Sequence, residues 1–384
     1  MKRFKWVVYD RIVLLDESNV TLMNFCHLSF VRHPMFPRLS VRILLPGFAV
    51  FLAACEEPRL SSNGEAFDPT GVSDATALHA LLSGLGADLS TLPPDFTAEE
   101  KADDGRSLVF QGRIPDTEGK KLSAYFYCAD CHGTAREQST ADTYEDPVAK
   151  LAYTIENDLP HLPAPSFAGV VNREGFFQGE IGKRFGASGD IAKDLEGAIQ
   201  FCSTTLARGR ELDEPEMEAL LSYLWSLEWR VGDLGFRGAD LAELKRRALN
   251  PDEHSWIIND LQENYLLSTN STAGRPPDDP REGFKVQQVP DLETGEAIWS
   301  RSCLHCHGAG GASEHYFGER ASTWELIGKG FREGWLYEHL RIGTFSKDET
   351  TAHMPPFSKE RLNDAQIESL RTFIESKLPA STKD

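Results

Sequence analysis

Positive charge is scarce in this chain. Its 384 residues include 40 lysines and arginines against 59 acidic side chains, a formal charge of −19 with histidines neutral. That excludes a nucleic-acid binder, which needs a basic face to meet phosphates. Long apolar runs are missing too. Residues 43–54 form an apolar stretch of 12, too short to cross a bilayer as a helix, which takes about 20. Methionine is rare, at five, and three of these (Met1, Met23 and Met35) stand before that stretch, which leaves Met217 and Met354. Cysteine is present as an odd seven, so a simple scaffold of paired disulfides is excluded. What remains is ordinary globular material, 40% hydrophobic and 26% charged, long enough for two or three domains.

The apolar stretch reads as part of a secretory signal. Arg38 and Arg42 precede it, and Ala53 and Ala54 stand just before Cys55, giving the basic, apolar and small-residue order of an export signal. Leu52, Ala53, Ala54 and Cys55 resemble the lipobox of bacterial lipoproteins. That resemblance implies cleavage before Cys55 and acylation of its thiol. The product would be lipid-anchored on the periplasmic side of a membrane, or exported and soluble if Cys55 is not acylated. A buried apolar helix that contains a cysteine is the alternative. Residues 1–34 are unusual for a signal, and a start at Met35 would explain them. Residues 1–54 carry seven basic and three acidic side chains, so the chain without them stands at −23. Such a surface can steer a basic redox partner in a salt-dependent way, or serve solubility alone.

Two motifs carry chemistry. Cys128-Ala129-Asp130-Cys131-His132 and Cys303-Leu304-His305-Cys306-His307 are both CxxCH, the attachment pattern for c-type haem. Two cysteines at this spacing reach the two vinyl groups of a haem as thioethers, and the following histidine supplies the proximal iron ligand. At this composition chance supplies only about 0.004 such motifs. Zinc is the competing ligand for such a cysteine pair, but it would want two further ligands at short spacing, and none stands nearby. Two covalently bound haems c are therefore expected.

The chain repeats around these motifs. Met217, Leu220, Tyr223 and Leu224 match Ile367, Leu370, Phe373 and Ile374 at a constant offset of 150. Both sets have the spacing of one face of a helix. Each helix opens on a polar start, Asp213-Glu214-Pro215 or Asn363-Asp364. Upstream, Gly119 and Gly295 are expected to open short helices that run into each CxxCH. This pattern resembles the class I cytochrome c fold over roughly residues 110–230 and 290–380. It implies an all-α protein of two tandem cytochrome c domains joined by a partly helical connector. In that family the distal iron ligand comes from a loop before the last helix. The second such loop reads His353-Met354-Pro355-Pro356-Phe357, which makes Met354 the expected partner of His307, with His353 as the lesser candidate. Met217 stands at the helix position of Ile367 and reads as core.

In the first half the corresponding position is Cys202, 11 residues before Asp213, as Met354 lies nine before Asn363. A His132/Cys202 haem is expected; a small buried cysteine and ligation by His161 are the alternatives. The stretch 198–227 further resembles thiosulfate dehydrogenases and related sulfur-oxidising haem–thiolate cytochromes. Those enzymes usually carry a Ser-Met-Asn-Gly run where this chain has Leu206-Ala207-Arg208-Gly209. The loss of that serine leaves Arg208 or Arg210 to hold an anion. Residues 165–169 followed by Arg173 resemble the same family's haem wall, which implies that the Pro165 carbonyl accepts the proximal NH of His132.

The remaining segments are read as a lipidated tether over 55–108, with a weak helical patch near Ala75 and Leu82, and a connector over 233–289. The domains proper then span 109–232 and 290–384. The connector should hold a helix from Asp240 to Leu249 and a turn-rich stretch over 272–280, with some mobility between the domains. Two functions follow: a lipid-anchored dihaem electron carrier in a respiratory chain, first haem to second, or an oxidoreductase acting on a sulfur anion at the first haem. The acidic surface and the missing serine favour the carrier.

Overall fold

The computed structural model describes residues 67–89, 99–115, 120–138, 145–177, 179–187, 189–192, 194–266, 271–313, 315–344 and 353–378. The chain divides into two units, Met1–Glu56 and Glu57–Asp384, and every described residue belongs to the second. The expected signal, the Met35 start, the acylated Cys55 and Gly119 lie outside the described residues.

Among the described residues every regular element is helical, and only an isolated β-bridge joins Ala77 to Arg230. In chain order the helices are α1 (Leu78–Leu85), α2 (Glu99–Gln111), α3 (Cys128–Cys131), α4 (Pro147–Glu156), α5 (Glu180–Arg184), α6 (Leu195–Phe201) and α7 (Glu214–Ser226). They continue with α8 (Gly238–Ala248), α9 (Pro251–Tyr265), α10 (Leu292–Ile298), α11 (Leu304–His307), α12 (Ala321–Glu333), α13 (Trp335–Ile342) and α14 (Asp364–Ser376). None of these is long and apolar enough to cross a membrane.

Two helix crossings organise the fold: α2 packs on α7, and α10 packs on α14. The two C-terminal helices start alike. Asp213 caps α7 and Asn363 caps α14, each accepting from the third helical N–H while Glu216 or Gln366 reaches back to the cap. That reciprocal pair satisfies two of the N–H groups a helix start leaves open. At each crossing a glycine admits the partner backbone. A Cβ on Gly105 would collide with the Ala219 carbonyl, and one on Gly295 with the Ser369 carbonyl. Ala219 and Ser369 stand at the same offset of 150 as the apolar positions.

This corrects the pairing of Gly119 with Gly295. In the second half, α10 runs through a π-turn (Trp299–Cys303) into α11 and so directly into its CxxCH. In the first half, residues 112–127 separate α2 from the CxxCH. The crossing glycine therefore lies further upstream, at Gly105, inside the segment read as tether. An acidic helix that buries Leu108 and Val109 completely looks like linker in composition.

The rest of that tether is also folded. Leu78, Leu81, Leu82 and Leu85 of α1 are buried against Trp229, Val231, Leu244, Ile257 and Leu261. The segment 67–89 and the connector helices α8 and α9 thus close one small core between them. A second core surrounds α2 and α7 and includes Met217, 7% exposed; a third surrounds α10 and α14. The connector helix expected over 240–249 is α8, and its turn-rich sequel is tied down. Ser271 O accepts from the N–H groups of Glu180 and Ile181, and Thr272 O accepts from the Lys359 N–H.

Candidate haem sites

The two CxxCH histidines are set by the same device. The His132 Nδ1–H donates to Pro165 O at 2.7 Å, and the ring lies flat on Phe167, centroids 4.4 Å apart and 10° between planes. The His307 Nδ1–H donates to His315 O at 2.8 Å, and its ring lies on Phe317 at 4.1 Å and 8°. In each case the stacking phenylalanine follows the accepting carbonyl by two residues. The hydrogen bond fixes the tautomer, so Nε2 presents a lone pair to a metal. Burial holds both imidazoles below their ordinary range, His132 down to about 4, so both are neutral at physiological pH. Pro165 was expected from its haem-wall resemblance. His315, Phe167 and Phe317 were missed; the Phe spacing shared by Pro165-Ser166-Phe167 and His315-Tyr316-Phe317 was the available signal.

His132, Cys128, Cys131, Cys202, Pro165 and Arg173 all line one cavity of about 270 Å³. Its wall is otherwise largely apolar, with Leu108, Phe126, Phe167, Val170, Phe176, Leu195, Leu220 and Leu224 among its residues. Cys202 opens a π-turn, Cys202–Leu206, at the end of α6, and so stands on the wall rather than inside the helix packing. All five described cysteines are free thiols. Burial pushes the Cys202 thiol up to about 11, so its thiolate needs a cation to exist there. An apolar slot lined by the two thiols and the oriented imidazole of a CxxCH, with a further thiol on its wall, fits haem c. Among the described residues no group of three or more His, Cys, Asp or Glu side chains is arranged for a bare metal ion.

Three expected residues sit elsewhere. His161 is fully buried, but its Nε2–H donates to Arg361 O at 2.7 Å and it does not line the cavity. Arg210 is committed to Glu216, at 2.6 and 2.7 Å, and to the carbonyls of Lys120 and Glu211. Neighbouring residues of the MPPF loop face different ways. Met354 packs against the core around α10 and α14, as Cys303, Leu304 and Phe317 also do, whereas His353 lines the first cavity, edge-on to Phe126 at 5.5 Å. His353 is thus not placed as a ligand for the second site. Burial, and then the charge of Arg208, lower its pKa to about 4.

Residues 290–374 match the family described as cytochrome c oxidase, cbb3-type, subunit III. This segment is a cytochrome c domain. It implies covalently bound haem and electron transfer, and it spans the second site only. A comparison with curated proteins finds no match to the chain.

The cytochrome c domain meets the first CxxCH segment directly. Within its own CxxCH, His305 Nε2 lies 3.3 Å from Ala129 O and Cys306 Sγ lies 3.7 Å from Asp130 O. Ala129 and Asp130 are the two residues between Cys128 and Cys131. The cytochrome c domain also supplies His353, Pro355, Pro356, Ser358, Glu360 and Arg361 to the wall of the first cavity.

Proposed function

We propose that this chain is an exported, membrane-anchored dihaem c-type cytochrome that carries electrons in a respiratory chain, from a His132/Cys202 haem to a His307/Met354 haem. The contact between the two CxxCH segments carries the reading. Cys306 Sγ stands 3.7 Å from the carbonyl of the Asp130–Cys131 peptide, so thioethers at Cys131 and Cys306 would tether the two haems to adjoining segments of chain. Bound haem supplies the one-electron iron couple. The chain's part is to hold each imidazole by a carbonyl and a stacked phenylalanine, and to present unlike distal ligands. A thiolate donates electron density and favours ferric iron, whereas a thioether raises the potential, so the gradient runs from the first site to the second. The acidic surface suits a basic protein partner, and acylation of Cys55 would keep the carrier at the periplasmic side of the membrane.

Arg208 supports a second reading, the oxidation of a sulfur anion at the first site. Its charge acts on His353, which lines that cavity. One experiment separates the two. Purified holoprotein should contain two haems c per chain by pyridine haemochrome, exchange electrons with a small basic cytochrome, and show no catalytic reduction by thiosulfate. Turnover with thiosulfate would establish the enzyme, and one haem per chain would refute both. Loss of membrane association on Cys55→Ala tests the anchor.

A further inference from the structure

The two CxxCH segments meet through residues that haem attachment leaves free. The pair between the cysteines of each motif forms no bond to haem, so its groups are available for other contacts. Helix α3 is one turn long, and a helix leaves its last four carbonyls open, so every carbonyl of α3 needs a partner outside it. Cys128 O accepts from the His132 N–H at 2.9 Å and Cys131 O from the Ala164 N–H at 3.1 Å, both within the first half. The other two are met by the cytochrome c domain. Ala129 O lies 3.3 Å from His305 Nε2, and Asp130 O lies 3.7 Å from Cys306 Sγ.

The backbone on both sides of this contact is held in place. The Asp130 carboxylate accepts the Tyr127 N–H at 2.7 Å and so ties α3 at its start. On α11, Leu304 O accepts from the Gly308 N–H, Cys306 O from the Ser313 N–H and His307 O from the Phe317 N–H. Those bonds stay within the cytochrome c domain, and what α11 extends to α3 is the His305 ring and the Cys306 sulfur. Haem attachment changes this pair of contacts. When a cysteine thiol adds across a vinyl group, its sulfur bonds to one vinyl carbon and its proton goes to the other. Cys306 Sγ then has no proton to give Asp130 O. Of the two bonds across the contact, the one from the His305 Nε2–H to Ala129 O survives.

We propose that His305 is a positioning residue for electron transfer between the two haems: its ring N–H, bonded to Ala129 O, keeps α11 seated on α3 once Cys306 has become a thioether. This rests on the reading that both CxxCH motifs carry haem. The crossing that His305 keeps closed is the one from Cys306 Sγ to the carbonyl of the Asp130–Cys131 peptide, which leads directly to the other attached cysteine. His305 acts on this contact and on neither iron, so its loss slows transfer and leaves the potentials where they are.

The test uses full-length holoprotein with His305→Phe, which keeps a ring and loses the donor, and His305→Gln, which keeps an N–H donor at similar reach. Flash photoreduction with ruthenium tris(bipyridine) reads the rate at which an electron passes between the haems. Electron paramagnetic resonance of the fully ferric protein reads the magnetic interaction between the irons, which reports their spacing without turnover, and spectroelectrochemistry reads both potentials. Expected for His305→Phe is transfer slowed about fivefold, the bias that one net hydrogen bond exerts on the seated arrangement, with a weaker magnetic interaction and unchanged potentials. His305→Gln should restore both rate and interaction. Should His305→Phe fail to hold two haems, His305→Leu, which also lacks a donor, is measured in its place. Two haems per chain with unchanged rate and interaction in the donorless variant would overturn this inference and leave the dihaem reading standing. Equal slowing in His305→Gln, or slowing accounted for by a shifted potential, would overturn it as well. Loss of a haem from both donorless variants would make His305 a residue of haem attachment and also overturn it; one haem per wild-type chain would overturn the dihaem reading itself.

Discussion

Acid should loosen this molecule at His161 before the Glu137 carboxylate responds. The ring is fully buried between the halves. Its Nε2–H donates to Arg361 O, its backbone N–H donates to Arg301 O, and its carbonyl accepts from Ser302 Oγ. The remaining nitrogen, Nδ1, has no hydrogen-bond partner among the described residues. Burial, reinforced by the Arg361 charge, pulls the pKa from 6.5 down to about 3. A depressed histidine contributes stability that is complete above the unfolded value and lost as pH falls from 6.5 toward 3. Between pH 7 and pH 4 about 2.5 units of that shift are spent, which at 1.36 kcal/mol per unit is about 3 kcal/mol. Urea unfolding from pH 7 to pH 4, followed by tryptophan fluorescence and the Soret band, should show this loss. His161→Gln keeps a donor for Arg361 O and removes the titration. The variant will be the less stable at pH 7, and the gap should close by about 3 kcal/mol by pH 4. Curves that stay parallel over this range would refute the reasoning. Glu137 enters only lower, since a carboxyl held at about 2 gives stability that is present above 4.5 and lost as pH falls toward 2.

Three further outcomes are expected. Met354→Leu should lower the potential of the second haem, by on the order of 0.1 V within the roughly 0.8 V that axial ligands span, and leave the first unchanged in a two-wave redox titration. The ferric protein should give a low-spin thiolate signal by electron paramagnetic resonance, and Cys202→Ala should abolish it while the His307/Met354 signal persists; a wild-type spectrum without that signal ends the Cys202 assignment. Gly105→Val drives a side chain into the Ala219 carbonyl and the Tyr223 Cβ, so α2 must lift from α7, at a cost of about 1–3 kcal/mol or more, readable as a lower thermal midpoint; an unchanged midpoint would mean that α2 does not pack there.

What the sequence revealed and what it hid differ by physical kind. The α7 and α14 cores repeat in sequence because helix faces impose a fixed apolar spacing, and both caps are single residues at fixed positions. The start of the first half was hidden because α2 is rich in acidic residues and because residues 112–127 intervene before the CxxCH. Nothing local marks such an interruption. The core formed by α1 with α8 and α9 was hidden for a different reason. Its two parts lie more than a hundred residues apart and neither has enough apolar surface to close alone. His315 escaped notice because a backbone carbonyl acts there, and any residue carries one.

The segment 353–361 bears most on how the two sites act together. Consecutive side chains of this stretch face opposite sites: His353 the first cavity, Met354 the second core, and Arg361, beyond the prolines, the first cavity again. The stretch is anchored at both ends. Met354 O accepts from the Thr344 N–H while its own N–H donates to Thr344 Oγ1, and Arg361 is fixed by Leu162 and Glu137. A backbone shift at one end is therefore passed to the other through few soft torsions, because Pro355 and Pro356 each fix φ. Pro356→Ala relaxes one of those torsions and removes no side chain that contacts iron or carries charge. If the stretch couples the sites mechanically, Pro356→Ala should broaden the thiolate resonance of the first haem as well as the methionine-ligated signal of the second. A change confined to the second signal would mean that the two sites share a wall but not a motion.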